Sequence, residues 1–281
     1  LGKKLVKRII SRIDIKNNHL VKGVSMEGLR ILGFPESFAK KYFLENIDEL
    51  IFNDIVASLY KRNQSIEIVN KITQSIFIPI IIGGGIKNLE DISKCLVNGA
   101  DRVSINTNAL QNPKFLEKAV LKFGASTIVV NLEVSNLDND YKLFLDNGRT
   151  RTNKDLIDWV KQIQDIGVGE IIVTSINNDG TLKGFDLKLL EKIKNKCNIP
   201  LLAHGGAGSN DDILNLFKKI DLNGCVLSSC LHYYYINQIP KVEIPSMGGS
   251  EYINKLNSEK FDFEGIKNLK KYLTENGIKV R

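Results

Sequence analysis

The sequence predicts an α/β fold, a closed (β/α)8 barrel of the TIM type that is built from two half-barrel repeats. Short β-branched runs alternate with amphipathic helices, several runs are apolar throughout, and the pattern repeats once along the chain. Residues 76–82 read Ile-Phe-Ile-Pro-Ile-Ile-Ile, which is typical of a parallel strand covered by helices on both faces. Eight strands alternating with helices over 281 residues fit a closed barrel better than an open sheet.

The predicted elements follow one another from end to end. Strands are predicted at residues 7–14, 49–55, 79–83, 102–105, 127–134, 170–175, 200–204 and 225–229. Helices are predicted at residues 35–45, 88–98, 113–123, 155–166, 186–194, 209–219 and 263–276. In the fourth helix Leu156, Trp159, Val160 and Ile163 recur at helical spacing, which predicts one buried face.

The repeat rests on three matched pairs of segments that occur in the same order. The pairs are Pro79 with Pro200 and Glu49 with Glu170, each 121 residues apart, and Asp14 with Glu133, 119 residues apart. Chance similarity between βα units is the alternative. Three ordered matches at nearly one offset favour a duplicated half-barrel, in which a feature at one strand end recurs on the opposite side.

We expect residues 1–281 to form a single barrel domain. Residues 236–262 interrupt the repeat with prolines, glycines and weak periodicity, which predicts an inserted loop or small subdomain before the last helix. A second, hairpin-like insertion is predicted at residues 141–147, after the fifth strand.

The composition predicts a cytoplasmic protein that acts on a small molecule. Lys plus Arg (39) exceed Asp plus Glu (32), and the net charge of +7 suits an acidic substrate or a generic basic surface. The four cysteines lack CxxC spacing, so neither a zinc site nor a disulfide framework is predicted. Neither a membrane span of ~18 apolar residues nor a signal peptide is recognisable. We expect no cofactor, no metal, and no nucleic-acid or membrane partner.

Asp14 and Glu133 are the first candidates for catalysis. Active sites of such barrels lie at the C-terminal ends of the strands, where Asp14 ends the first strand. The repeat places Glu133 at the matching end of the fifth strand, across the barrel. Two carboxyl groups facing each other over one mouth can act as general acid and general base. Taken singly, each residue also fits a cap or an ion-pair partner of its loop.

Two glycine runs, residues 83–85 and 205–208, predict two anion sites. Each follows a strand and precedes a helix, so that backbone N–H groups can approach an anion, although tight βα turns need glycine anyway. Two runs at one offset favour a substrate with phosphate at both ends. The predicted phosphate-binding residues are Gly84, Gly85, Thr107, Gly180, Gly205, Gly206, Ser228 and Ser229.

Further polar residues lie near the same strand ends. Lys22, in the first loop, can neutralise a developing anion, and Asp179 can orient a ligand or simply form its turn. Asn106, after the fourth strand, can add a donor. His204 stands where the glycine run would lead one to expect a small residue, so it is a candidate for contact with the substrate.

A third set of charged residues belongs to the opposite, N-terminal face of the barrel. Its members lie at or near the starts of strands: Arg8, Glu49, Arg102 and Glu170. Because charges inside a barrel need partners, we predict a ring of ion pairs that closes the barrel floor. Ordinary salt bridges at the surface are the alternative.

These motifs together resemble the HisF family, the cyclase subunit of imidazole glycerol phosphate synthase. The resemblance covers nearly the whole chain outside residues 236–261. It rests on Asp14 followed by Val21-Lys22-Gly23, and on the runs Asp48-Glu49-Leu50, Gly83-Gly84-Gly85-Ile86, Asp101-Arg102-Val103-Ser104-Ile105-Asn106, Asp179-Gly180-Thr181 and Gly205-Gly206-Ala207-Gly208.

The resemblance implies a partner and a reaction. HisF-type barrels dock a HisH-type glutaminase on the N-terminal face, as a heterodimer, and ammonia passes through the barrel to the C-terminal site. The floor residues then correspond to the family's ammonia gate, and Asp101 to a contact with the glutaminase. In the histidine pathway ammonia attacks a bis-phosphorylated ribulosyl formimino nucleotide. Asp14 is implied as an acid/base residue, supported by Lys22, Asn106 and Asp179.

The sequence also departs from the histidine-pathway pattern. Glu133 stands where that enzyme has its second catalytic aspartate, and Phe34 where it usually has Asp. Local runs at residues 26–30, 56–63 and 146–149 resemble HisF-like paralogues that supply ammonia, with a sugar amidotransferase, for acetamidino groups on bacterial surface sugars. We favour this role. The histidine-pathway cyclase, a non-catalytic ammonia conduit and a HisA-like sugar isomerase remain alternatives, the last opposed by Lys22-Gly23 and the charged floor.

Overall fold

A computed structural model describes residues 6–57, 65–239 and 262–281 and confirms the predicted closed barrel. The strands in chain order are β1 (Arg8–Lys16), β2 (His19–Val24), β3 (Glu27–Gly33), β4 (Glu49–Asp54), β5 (Ile80–Gly83), β6 (Arg102–Ile105), β7 (Ile128–Leu137), β8 (Asp140–Leu145), β9 (Thr150–Arg151), β10 (Glu170–Ser175), β11 (Leu201–His204) and β12 (Gly224–Leu227). Eight of them pair in parallel in the order β1, β4, β5, β6, β7, β10, β11 and β12, and β12 pairs with β1 to close the barrel.

Helices cover the outside of the barrel. They are α1 (Pro35–Leu44), α2 (Ser65–Ile72), α3 (Leu89–Val97), α4 (Thr107–Gln111), α5 (Pro113–Phe123), α6 (Leu156–Ile166), α7 (Leu187–Lys194), α8 (Asn210–Lys219), α9 (Ser229–Tyr235) and α10 (Ile266–Glu275). Their buried aliphatic and aromatic residues pack on the outward side chains of the strands in one large core. Trp159 of α6 is fully buried there, as its helical spacing predicts.

Capping boxes fix the starts of α3 and α8 directly after the two glycine runs. Asn88 caps α3 by accepting a hydrogen bond from the Asp91 N–H, and Ser209 caps α8 through the Asp212 N–H in the same way. Each carboxylate in turn accepts from the N–H of its cap residue. The two boxes are 121 residues apart, so the duplicated strand, glycine run and helix share one local geometry.

The barrel interior is divided into levels, because side chains alternate between the two sides of each strand. The middle level is an apolar cluster separate from the outer core: Ile10, Ile51, Ile81, Val129, Ile172, Leu202 and Val226. The charged floor residues of β1, β4 and β10 lie two residues before the apolar residues of the same strands. A polar level lies two residues after the apolar one and contains Arg12, Asn53, Asn131, Thr174 and His204. Asp14 and Glu133 follow at the mouth.

Two hairpins extend strands of the barrel beyond the mouth. The pair β2 and β3 continues from β1, and its strands were not predicted, since Gly23, Gly28 and Gly33 interrupt the pattern of residues 19–33. The pair β8 and β9 continues from β7 and contains the predicted insertion at 141–147.

The last barrel strand ends earlier than predicted. It stops at Leu227, not at residue 229, because Ser228 takes the N-cap position and Ser229 begins α9. Of the predicted insertion at 236–262, Ile236–Gln238 forms a short 3-10 helix, and residues 240–261 lie outside the described ranges. The last helix, α10, then packs with Ile266, Leu269 and Leu273 buried.

Candidate active site

Asp14 and Glu133 lie on opposite sides of the barrel mouth. Their strands, β1 and β7, are four positions apart in the closed order of eight. Both side chains continue the inward-facing series that includes Ile10 and Val129, and both are buried. The negative charge of Asp14 is felt at Glu133. The structure thus brings the two predicted carboxyl groups to one mouth.

Asp14 interacts with two cationic side chains and one side-chain amide. The Arg12 Nε donates to Asp14 Oδ1 at 2.8 Å, and the Asn53 Nδ2 donates to the same oxygen at 3.2 Å. The Lys22 Nζ lies 3.7 Å from Asp14 Oδ2. Burial alone would raise the pKa of Asp14, but the charges of Arg12 and Lys22 outweigh it and hold the pKa well below its usual range.

Lys22, on the hairpin after β1, bonds to Asp179 in the turn after β10. Its Nζ donates to both carboxylate oxygens of Asp179, at 2.8 and 2.7 Å, and both side chains are almost completely buried. The Ser25 N–H donates to the Asp179 carbonyl, which fastens the β2–β3 hairpin to the turn after β10. Lys22 and Asp179 therefore hold each other in place beside Asp14.

Glu133 has a different environment, because its carboxyl makes no ion pair with any Lys, Arg or His side chain of the described ranges. Its Oε2 accepts a hydrogen bond of 2.9 Å from the Gly148 N–H, in the turn between β8 and β9. Burial raises the pKa of Glu133 to about 7, although the charge of Arg12 and the Gly148 N–H lower it. Glu133 thus exchanges a proton near neutral pH, which suits a group that transfers protons.

A cavity of about 230 Å³ opens beside Glu133 and the first glycine run. Its lining residues include Asn53, Gly84, Gly85, Asn106, Thr107, Asn131 and Glu133. Gly84 has a φ of +92°, and a Cβ there would lie 2.2 Å from the Asp54 carbonyl oxygen, so only glycine fits this turn. Asp14 is not part of this lining, but its hydrogen-bond partner Asn53 is.

The second glycine run is closed in this conformation. Gly205, Gly206, Ser228 and Ser229 surround a space of only about 10 Å³, the size of one water molecule. His204 lies beside it, with Nε2 3.5 Å from the Ser228 hydroxyl and Nδ1 3.2 Å from the Thr174 hydroxyl. Burial and the charge of Arg12 lower the pKa of His204 to about 3, so its ring is neutral.

Three other predicted residues have local partners. Thr107 Oγ1 accepts a hydrogen bond from the Asp146 N–H, which links the start of α4 to the β8–β9 turn. Gly180, at a φ of +76°, packs against the Gly23 carbonyl of the hairpin. Asp101, at the N-terminal end of β6, accepts a hydrogen bond from the Ile80 N–H.

A groove of about 740 Å³ separates the tips of the two hairpins.

The four floor residues form an alternating ring of charges. Glu170 accepts hydrogen bonds from both Arg8 and Arg102, and the Arg102 Nη1 lies 2.5 Å from its Oε2. Glu49 lies 2.9 Å from Arg8 Nη1 and 3.9 Å from Arg102 Nη1. Two cations and two anions thus balance one another around the barrel floor, below the apolar level.

Sequence reasoning missed three residues of the site: Arg12, Asn53 and Gly148. Arg12 carried a signal, since residues two apart on a strand face the same side, and a basic residue two before Asp14 has to point into the barrel. The contribution of Gly148 is a backbone N–H from a turn, and no side-chain pattern predicts it. Asn53 of β4 contacts Asp14 of the neighbouring strand β1, and this contact can be predicted only when the register between the two strands is known.

Two features are absent from the described ranges, a metal-binding cluster and a membrane-spanning helix. In residues 6–57, 65–239 and 262–281, no three His, Cys, Asp or Glu side chains converge as metal ligands would. None of the helices in these ranges is both long and apolar enough to cross a membrane.

The floor ring generates a stability prediction. Glu170→Gln keeps the size of the side chain but removes the anion that both arginines share, so it should lower the free energy of unfolding by about 3 kcal/mol. Glu275→Gln, in the exposed pair with Lys271, is the matched control and should have almost no effect. Urea unfolding measures both, and equal effects of the two substitutions would contradict the ring as a buried, coupled unit.

Comparisons with known proteins show what the whole sequence is similar to. A family model described as "Histidine biosynthesis protein" matches residues 8–237. Over 278 residues, and 99% of both chains, the sequence is 38% identical to "Imidazole glycerol phosphate synthase subunit HisF" from Hydrogenobaculum sp. (strain Y04AAS1). A protein of the same name from Legionella pneumophila is 42% identical over 206 residues, which cover 73% of this chain and 97% of that protein. With its barrel confirmed and these relatives aligned along it, the chain belongs to the HisF family.

Proposed function

We propose that the chain is the synthase subunit of a glutamine amidotransferase complex, which adds ammonia to a doubly phosphorylated substrate in a lyase-type cyclisation. The observation that carries the proposal is the placement of Asp14 and Glu133 at one mouth, in environments that hold one carboxyl ionised and the other close to neutrality. The name shared by the relatives, a subunit of imidazole glycerol phosphate synthase, supports the same class of reaction.

The proposed substrate spans the two glycine runs. The cavity beside Gly84, Gly85 and Thr107 has room for one phosphorylated end, where backbone N–H groups bind the anion. The other end is assigned to Gly180, Gly205, Gly206, Ser228 and Ser229. Because the space there is that of one water molecule, binding of this end requires the loop after β11 to open.

The proposed source of ammonia is a HisH-like glutaminase bound to the N-terminal face, which makes the functional unit a heterodimer. Arg8, Glu49, Arg102 and Glu170 then form the gate through which ammonia enters the barrel. Asp101 is exposed on this face, and so is Phe77, which precedes β5 and is 79% exposed. Aromatic residues are enriched in protein interfaces, which supports docking there.

The finer proposal is that the product serves acetamidino-sugar synthesis, with a sugar amidotransferase as a further partner. Glu133 supports it, because one additional methylene moves a carboxyl by roughly 1.5 Å, and a displacement of this order can cost about 100-fold in rate on the substrate for which an aspartate is suited. His204, beside the second glycine run, is a further departure of the site from the histidine-pathway pattern. The histidine-pathway nucleotide is the second candidate, which the names of the relatives favour.

Replacement of Glu133 tests the proposed chemistry. Glu133→Gln should lower ammonium-dependent turnover by about 10²- to 10⁴-fold, because the amide cannot transfer a proton. The melting temperature should remain unchanged, since glutamine resembles the protonated acid and still accepts from Gly148. Glu27→Gln, on the exposed hairpin, is the control. A normal rate would remove Glu133 from the reaction, and an intact chain that binds the glutaminase but turns over nothing would support a conduit.

The pH dependence of the rate is a separate prediction. At a constant concentration of free ammonia, the rate should rise with pH through about 7 and then level off, because the ionised form of Glu133 accepts the proton. A stopped assay over a pH series, with total ammonium adjusted at each point, measures this. In Glu133→Gln the inflection should disappear, and an inflection that persists there would assign it to another group.

Glu133→Asp separates the two candidate substrates. If the glutamate diverts the chain from histidine synthesis, this variant should turn over the ribulosyl formimino nucleotide about 100-fold faster than the unmodified chain. Parallel assays with the nucleotide, with and without glutaminase, measure the change. A loss of activity in Glu133→Asp would instead show that the glutamate suits the histidine-pathway substrate.

A further inference from the structure

Arg12 places a permanent positive charge inside the barrel. It lies on β1 directly above the apolar level and is only 3% exposed. A guanidinium cannot lose its proton in a protein, so burial of this charge requires a close anion. Asp14 is that anion, at 2.8 Å from the Arg12 Nε.

The two carboxyl groups differ in the ionisable groups that face them. Asp14 is faced by Arg12 on its own strand, by Lys22 from β2, and by Asp179 and His204 from the loop after β10 and from β11. Lys22 donates to both oxygens of Asp179 and lies 3.7 Å from Asp14 Oδ2, whereas Arg12 donates a hydrogen bond directly to Asp14. Glu133 is faced by Arg12 from β1, by Asp14 and by Asp146, but its hydrogen-bond partner is the neutral Gly148 N–H and not a cation.

Access to the cavity separates them as well. Glu133 lines the cavity beside the first glycine run, whereas Asp14 does not, and the Oδ1 of Asp14 is bonded to both Arg12 and Asn53. A carboxylate held this firmly by cations is a weak proton acceptor, while a carboxyl that exchanges its proton near neutral pH is an effective one.

We propose that Arg12 is a positioning residue that withdraws Asp14 from proton transfer, so that Glu133 alone exchanges protons with the substrate while Asp14 acts as a fixed negative charge. This inference rests on the proposed function. As ammonia attacks a carbonyl carbon, Glu133 takes the proton that the nitrogen loses and returns it to the carbonyl oxygen. The carboxyl ends the step in the form in which it began. Asp14 stabilises the positive charge that develops on the nitrogen.

Carboxyl titration by NMR tests the proposal without a substrate. In the full chain labelled with ¹³C at Asp and Glu carboxyls, and assigned with Asp14→Asn and Glu133→Gln, Asp14 should titrate below an ordinary aspartate and Glu133 near neutrality. Arg12→Met should raise the midpoint of Asp14 by about one to three pH units. Arg12→Lys, which keeps the charge, should retain most of the low midpoint and serves as the matched control.

The pH–rate profile provides the second measurement. Arg12→Met should add a second inflection as Asp14 begins to titrate, and Arg12→Lys should keep one. If Arg12→Met does not fold, Arg12→Gln replaces it in both experiments. A normal Asp14 midpoint in the unmodified chain, or one unmoved by loss of the charge, overturns the proposal. Turnover absent on every substrate, with the NMR shifts as expected, overturns the proposed function and leaves the pairing of Arg12 with Asp14 in place.

Discussion

The pairing of charges inside the barrel is the constraint on which the site depends. Each strand sends every second side chain inward, so charged residues near either end of a strand are buried and need partners. The floor meets this requirement with a ring of two arginines and two glutamates. At the mouth, the buried charges are paired in two ion pairs, Arg12 with Asp14 and Lys22 with Asp179. Both arrangements join strands that are distant in sequence.

The two halves of the barrel have kept the same framework but differ at the level below the carboxyl groups. Arg12 lies two residues before Asp14, and Asn131 lies two residues before Glu133 at the corresponding position of the other half. Asn131 is neutral and accepts a hydrogen bond from Thr174. The difference at this position contributes to the contrast between the two acids, because Arg12 bonds directly to Asp14, whereas Asn131 adds no charge beside Glu133. Lys22, from the hairpin after β1, adds a second cation on the side of Asp14.

The sequence was sufficient to predict the parts of the molecule that follow from periodicity. The barrel strands, the capped helices after the glycine runs and the inward position of Asp14 all depend on patterns that are local or repeated at one offset. The partners of Asp14 could not be derived in the same way, because the contact with Asn53 depends on strand register and that with Lys22 on the path of a hairpin that was not predicted. The closed second glycine run is likewise a matter of loop conformation, which composition does not determine.

The apolar level between floor and mouth limits what can cross the barrel. Seven aliphatic side chains separate the ring of four charges from Arg12, and an ion that entered this layer would lose its hydration without gaining a partner. The penalty is much smaller for neutral ammonia than for ammonium. If ammonia enters at the floor, as proposed, the layer therefore delivers it in the form whose lone pair can attack a carbonyl carbon. Arg12 lies directly above this layer and disfavours a second positive charge there, so ammonia that followed the proposed route would reach the mouth unprotonated, and Glu133 would remove its proton only after attack.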